Sequence, residues 1–139
     1  MNREEFVAFV REAREGVVAT VDAKGSPEAA LVGLAVTDAG DVLFDTYTVA
    51  RKVANIRVNA RVAVVIGWDD GVSVQVEGVA AVLAGAEREA CGKVYLEQFP
   101  GARALADGFS LVRVVPDWLR RYDARTDPAL VTEGHPWHG

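Results

Sequence analysis

The sequence predicts a mainly β (α+β) domain, in which six or seven short antiparallel strands curl into a small barrel with helices at its periphery. Three observations carry this reading. Half of the residues are hydrophobic and valine is abundant, which suits a pleated, half-buried core. Asp/Gly turn signals separate successive apolar runs, so neighbouring runs pair as hairpins. Strands do not alternate regularly with helices and no GxGxxG occurs, which argues against a doubly wound nucleotide fold.

Residues 3–13 read as a helix with Phe6, Val7, Phe9 and Val10 on one stripe, ended by Gly16. Val17 to Val21 is a first strand, and Asp22 to Gly25 is a hairpin turn. Pro27 to Thr37 is a longer, almost wholly apolar second strand. Asp38 to Gly40 turns the chain into a third, Val42 to Thr46. A short polar turn then leads into a helix with Thr48 as N-cap, an apolar face of Val49, Val53 and Ile56, and Asn59 as a left-handed C-cap.

Arg61 to Gly67 is a buried strand, and Asp69 to Gly71 turns it into Val72 to Leu83, where valines alternate with Ser73, Gln75 and Glu77. Gly78 marks a bulge or a close backbone approach. A helix over 86–98 follows. Ser110 to Val115 and Trp118 to Tyr122 are two short strands, or one strand bent at Pro116. The tail, about 126–139, reads as irregular. No repeat or linker divides the chain, so residues 1–139 form one domain.

The net charge of −5 and the lack of a long basic tract argue against nucleic acid or an anionic membrane as partner. No apolar run reaches the roughly 18 residues that a membrane helix needs. The first residues lack a signal-peptide pattern, so a cytoplasmic protein is expected. Cys91 cannot form an internal disulfide, has no His nearby in sequence, and reads as a packing residue. His135 and His138 lie in a Pro- and Gly-containing tail, so no metal site is expected.

The chemistry concentrates after the third strand. Arg51 and Lys52 fall in the first turn of a helix, beside backbone N–H groups without intrahelical partners. The helix dipole disfavours cations there by about 0.3–1 kcal/mol each, so a bound phosphate would explain both; a solvated basic face is the alternative. Thr46 and Thr48 add hydroxyls on the approach.

Arg51-Lys52, followed by Asn55-Ile56, Asn59 and Arg61-Val62 after a strand carrying Phe44 and Thr46, resembles the pyridoxamine 5′-phosphate oxidase-like superfamily of flavin-binding split β-barrels, in its general-stress and deazaflavin-type branch. The likeness is strongest from Val42 to about Val79, and weaker over Phe6 to Val36 and Leu111 to Asp123. It implies that Arg51 and Lys52 hold an FMN phosphate, with Thr46 near the flavin and Thr48 joining the cradle. Gln75 corresponds to a glutamine that approaches the flavin, if one residue is allowed for hairpin length; an outward polar position is the alternative. Leu31 and Val32 on the second strand are expected to contact the ring.

The resemblance further implies a homodimer with the cofactor at its interface, where Trp118, Arg120 and Tyr122 of the partner would cover it. Trp and Arg are also usual anchors of any subunit contact. Unlike the vitamin-B6 oxidases, the chain has Ala30 to Ala35 where they carry basic residues, and no counterpart after Trp118 of the arginine-bearing substrate motif with which they end. Oxidation of a phosphorylated B6 vitamer is therefore not expected. The implied activity is an FMN-dependent oxidoreductase of an unknown small substrate. Alternatives are a reductase using an F-420 type deazaflavin, with Arg57 and Arg61 as candidates for its acidic tail, and a non-catalytic FMN-binding protein. Some split barrels bind haem, which the scarcity of histidine argues against.

Overall fold

Asn2 and Glu5 open the chain with a reciprocal cap. The Asn2 side chain accepts the Glu5 N–H, and the Glu5 carboxylate accepts the Asn2 N–H, both at 2.8 Å. They start α1 (Arg3–Ala13), which buries Phe6, Val7 and Val10. The computed structural model describes residues 1–137. His138 therefore lies outside the described residues.

Gly16 does not end α1, as the sequence suggests. Arg14 takes the left-handed position at φ 66°, and Gly16 lies within β1 (Glu15–Val21). A Cβ there would stand 2.5 Å from Leu34 Cδ1 and 2.7 Å from the Val65 carbonyl oxygen. Close approach, not chain reversal, explains this glycine.

The remaining elements are β2 (Pro27–Gly33), β3 (Ala35–Val36), β4 (Val42–Tyr47), α2 (Arg51–Val58), β5 (Arg61–Ile66), β6 (Val72–Val82), α3 (Gly85–Gln98), β7 (Phe109–Asp123) and β8 (Leu130–Gly134). All pairings are antiparallel, in the order β2-β1-β5-β6-β7-β4-β3, with β8 beside β7. The expected second strand is split at Leu34. Its first half pairs with β1 and its second with β4, at opposite ends of the path. That continuity curls the sheet upon itself, and the result is a mainly β split barrel with three helices.

Phe6, Val10, Val18, Phe44, Ile66, Val74 and Val114 fill the barrel. Leu43 and Leu111 of the sheet and Tyr95 of α3 form a second cluster, with Cys91 packed against it. Burial pushes the Cys91 thiol above its ordinary pKa. None of the described helices is long and apolar enough to cross a membrane.

The two expected C-terminal strands are one. β7 runs through Pro116, and the register shifts there so that Gly78 faces Pro116 while Glu77 faces Trp118. Asp117 is the extra residue of this bulge. It switches which parity points inward, from Val112 and Val114 to Leu119. A Cβ on Gly78 would stand 2.4 Å from the Val115 carbonyl oxygen, so bulge and close approach coincide.

The tail is not wholly irregular. β4 pairs with β7 only as far as Val114, and β8 covers the exposed edge from Leu119 to Asp123. Beyond it, Trp137 packs on Phe6 at 5.1 Å and donates its indole N–H to the Ala39 carbonyl.

Candidate functional site

Alternation along β4 sends Phe44 into the core and leaves Thr46, of the same parity, half-buried near the end of the strand. The chain then turns and enters α2 at Arg51. Thr48 does not cap this helix, because its hydroxyl is bonded to Ser110 Oγ at 2.9 Å. The N-cap is Ala50, which makes no side-chain bond. Val49 lies outside the helix and is exposed, so the buried face of α2 is Val53, Asn55 and Ile56. Nor is Asn59 left-handed. Its φ is −136°, and its side-chain oxygen accepts the Arg61 N–H at 3.0 Å in a local turn.

An uncapped helix start with no acid and two bases in its first turn is thus what the sequence builds here. The Lys52 ammonium donates to Thr46 Oγ1 at 3.1 Å. Thr46 faces Ser110 across the β4–β7 ladder, which places the Thr48–Ser110 pair alongside. Thr46, Thr48, Arg51 and Lys52 therefore come together as one cradle.

A carboxylate completes it. Arg51 Nη1 donates to Glu28 Oε2 at 2.8 Å, and Asn55 Nδ2 donates to Glu28 Oε1 at 2.7 Å. Asn55 is buried and also bonds Thr20 Oγ1 at 3.0 Å, while Thr20 faces Glu28 across the β1–β2 hairpin. These bonds, Asn55 first and Arg51 second, hold the Glu28 carboxyl below its ordinary pKa. A cleft of about 330 Å³ opens here between Val18, Thr20, Glu28, Ala30, Arg51 and Lys52.

The sequence alone points to no role for Glu28, Thr20 or Ser110, and to Asn55 only as part of a motif. Two signals were available: an acid opening an otherwise apolar strand, and an amide in the buried stripe of a helix.

The other expected site residues lie elsewhere. Val32 is buried on the inner face, whereas Leu31 is 61% exposed on the outer face. The registers set Leu31, Val17, Val65, Gln75 and Arg120 in one outer row across five strands. Ala29, Ala19, Ala63, Glu77 and Trp118 form the row beside it. Val17, Ala19, Val65, Gln75, Glu77 and Trp118 line a hollow of about 240 Å³ between these rows. Tyr122 continues the same face, and Arg120 pairs with Glu133 at 3.5 Å. Arg57 sits in the last turn of α2, while Arg61 is held by Asp117 and Glu77 at the bulge. His135 bonds the Asp117 carbonyl through Nδ1 at 3.1 Å.

The curled sheet, with an uncapped helix start carrying Arg51 and Lys52 beside β4, defines a split-barrel domain. Residues 3–122 match the family model described as pyridoxamine 5′-phosphate oxidase, and the chain belongs to that family. In structure it is similar to the conserved hypothetical protein Rv2991 of Mycobacterium tuberculosis, at 26% identity and TM-score 0.76 over 90% of this chain and 86% of that one. A pyridoxamine 5′-phosphate oxidase-related, FMN-binding protein of Nostoc punctiforme matches at 15% identity and TM-score 0.71, over 95% and 87% of the two chains. A heme-binding protein of Mycobacterium smegmatis matches at 18% identity and TM-score 0.79, over 97% of this chain and 58% of that one. The last two likenesses show the fold alone. No curated protein matches the sequence.

Proposed function

We propose that the protein is an FMN-dependent oxidoreductase acting on a small substrate of low charge, as a homodimer with the cofactor at its interface. The observation that carries this reading is the uncapped start of α2, with Arg51 and Lys52 in its first turn and Thr46 beside them. The residues suit a phosphate. Arg51 engages Glu28 through Nη1, and a guanidinium offers further donors in the same plane. Lys52, poised by Thr46, adds a second cation that can turn toward an anion.

A bound flavin supplies the hydride or electron transfer, and the protein supplies its placement. Arg51, Lys52 and the α2 amides neutralise and fix the phosphate end. The apolar outer face around Leu31, Val17 and Val65 excludes water once a second subunit covers it, with Gln75 offering an amide to the ring and Trp118 and Arg120 reaching across. The absence of cations on β2 disfavours a phosphorylated substrate.

A second reading, an F-420 type deazaflavin, is favoured by one observation. Glu28 lowers the positive charge of the cradle, which suits the singly charged phosphodiester of that cofactor. The engagement of Arg61 at the bulge counts against it, because this arginine is then not offered to an acidic tail.

The test is the absorption and mass spectrum of cofactor released from protein purified from its native host, beside the Arg51→Ala/Lys52→Ala variant. FMN present in the first and lost in the second supports the proposal. A deazaflavin lost in the same way moves the activity to hydride-only reduction. Cofactor retained by the variant refutes the phosphate site. FMN without turnover on reduced nicotinamide and common acceptors points to a non-catalytic FMN-binding role.

A further inference from the structure

The cradle contains its own anion. Glu28 is not a loose surface acid that can swing away when another anion arrives. Its side chain is 26% exposed, against 86% for Arg51. The amide that grips it, Asn55, is buried and tied in turn to Thr20. The weak partner in this network is therefore the arginine. An exposed ion pair contributes little and its arginine is free to be shared, whereas the carboxylate is held by a part-buried hydrogen bond from an amide that is itself anchored by a buried one. Counted over Arg51, Lys52 and Glu28, the cradle holds two positive charges and one permanent negative one.

A fixed negative charge acts unequally on different phosphates. Coulomb energy scales with the product of the charges, so a doubly charged phosphomonoester feels Glu28 twice as strongly as a singly charged phosphodiester at the same place. Tuning by one carboxylate has a second consequence: removing it should raise affinity, although it deletes a hydrogen bond to Arg51.

From this geometry we infer that Glu28 is a selectivity residue of the cradle, which narrows the advantage of a phosphomonoester over a phosphodiester on the same flavin. The inference rests on the flavin-phosphate reading above and names the determinant within that site.

The experiment titrates the full-length protein, stripped of cofactor, with FMN and with the 5′-methyl phosphodiester of riboflavin, following flavin fluorescence. The proteins are wild type, Glu28→Gln and Arg51→Ala/Lys52→Ala. Glutamine keeps a carbonyl for Asn55 while removing the charge, and Glu28→Ala gives the same readout if glutamine disturbs that contact. For a screened charge about 5 Å away, Glu28→Gln should tighten the diester about fourfold and FMN by roughly the square of that factor, more than tenfold.

Equal tightening of both ligands, no change, or equal weakening overturns the inference; equal weakening would make Glu28 a positioning residue for Arg51. In each of those cases, loss of binding in Arg51→Ala/Lys52→Ala leaves the cofactor site standing. Binding that ignores that double variant, or no binding by any of the proteins, removes both readings together.

Discussion

The cradle beside α2 and the outer face of β1, β5, β6 and β7 differ in how far each is completed within one chain. In the cradle the polar side chains already have company, although the α2 start is uncapped: Lys52 with Thr46, Thr48 with Ser110, Arg51 and Asn55 with Glu28. The outer face is the reverse. Its rows of Leu31, Val17, Val65, Ala19 and Ala63 present small and apolar side chains around a hollow rimmed by Gln75, Glu77 and Trp118. Contiguous apolar surface is a feature that contact sites on folded domains share. The contrast teaches that one chain already arranges the charged side chains of the cradle, whereas it leaves the apolar outer rows open.

The bulge at Gly78 lies beside the outer row of Glu77 and Trp118, and breaking it should have the largest effect. Gly78→Val puts a side chain into the Val115 carbonyl, so about 3 kcal/mol or more of stability should be lost, read from the urea midpoint. The bulge also decides that Trp118, Arg120 and Tyr122 face outward. A variant that stays as stable as wild type would show that this parity switch is not needed.

Arg51→Ala/Lys52→Ala comes next and isolates the cradle. Two charge-assisted contacts to a phosphate are worth about 3 kcal/mol together, so FMN affinity should fall roughly 100-fold. Thermal stability should barely move, because Arg51 is exposed and its pair with Glu28 contributes little. A large loss of stability with unchanged affinity would reverse the comparison and make the cradle a structural device.

What was legible in the sequence divides along the same line. Arg51, Lys52 and Thr46 were readable because they lie within one β4–α2 segment, where spacing alone fixes their neighbours. The hairpins at Asp22 and Asp69 were readable for the same reason. Glu28 was not, since its meeting with Arg51 needs β2 to fold back beside α2 across 23 positions of sequence. Thr48 reads as a cap in the sequence because nothing local reveals Ser110, 62 residues on, which claims its hydroxyl. β8 was missed because the edge it covers exists only where β7 outruns β4.

The outer face offers the third test. Trp118→Asp places a charge in the hollow, and self-association should weaken by at least tenfold in sedimentation, as for a central aromatic anchor. If the cofactor lies at that interface, FMN affinity falls with it and recovers at higher protein concentration. A dimer that persists would assign the cover to another molecule.

Gln75→Ala carries the smallest effect and asks whether the two regions serve one ligand. Gln75 sits in the same outer row as Leu31 and Val17, and not in the cradle with Arg51. Its amide would cost nothing to remove if it merely faced water. If the flavin ring extends from the cradle to the covered face, losing one neutral hydrogen bond should cost about 0.5–1.5 kcal/mol, roughly a twofold to tenfold loss of FMN affinity. The melting temperature should stay unchanged, because the side chain is exposed in the free chain. Equal affinity in the variant would confine the cofactor to the cradle side and leave the outer face as a contact surface only. A loss that appears in the dimer but vanishes in Trp118→Asp would tie the ring to the face that the second subunit completes.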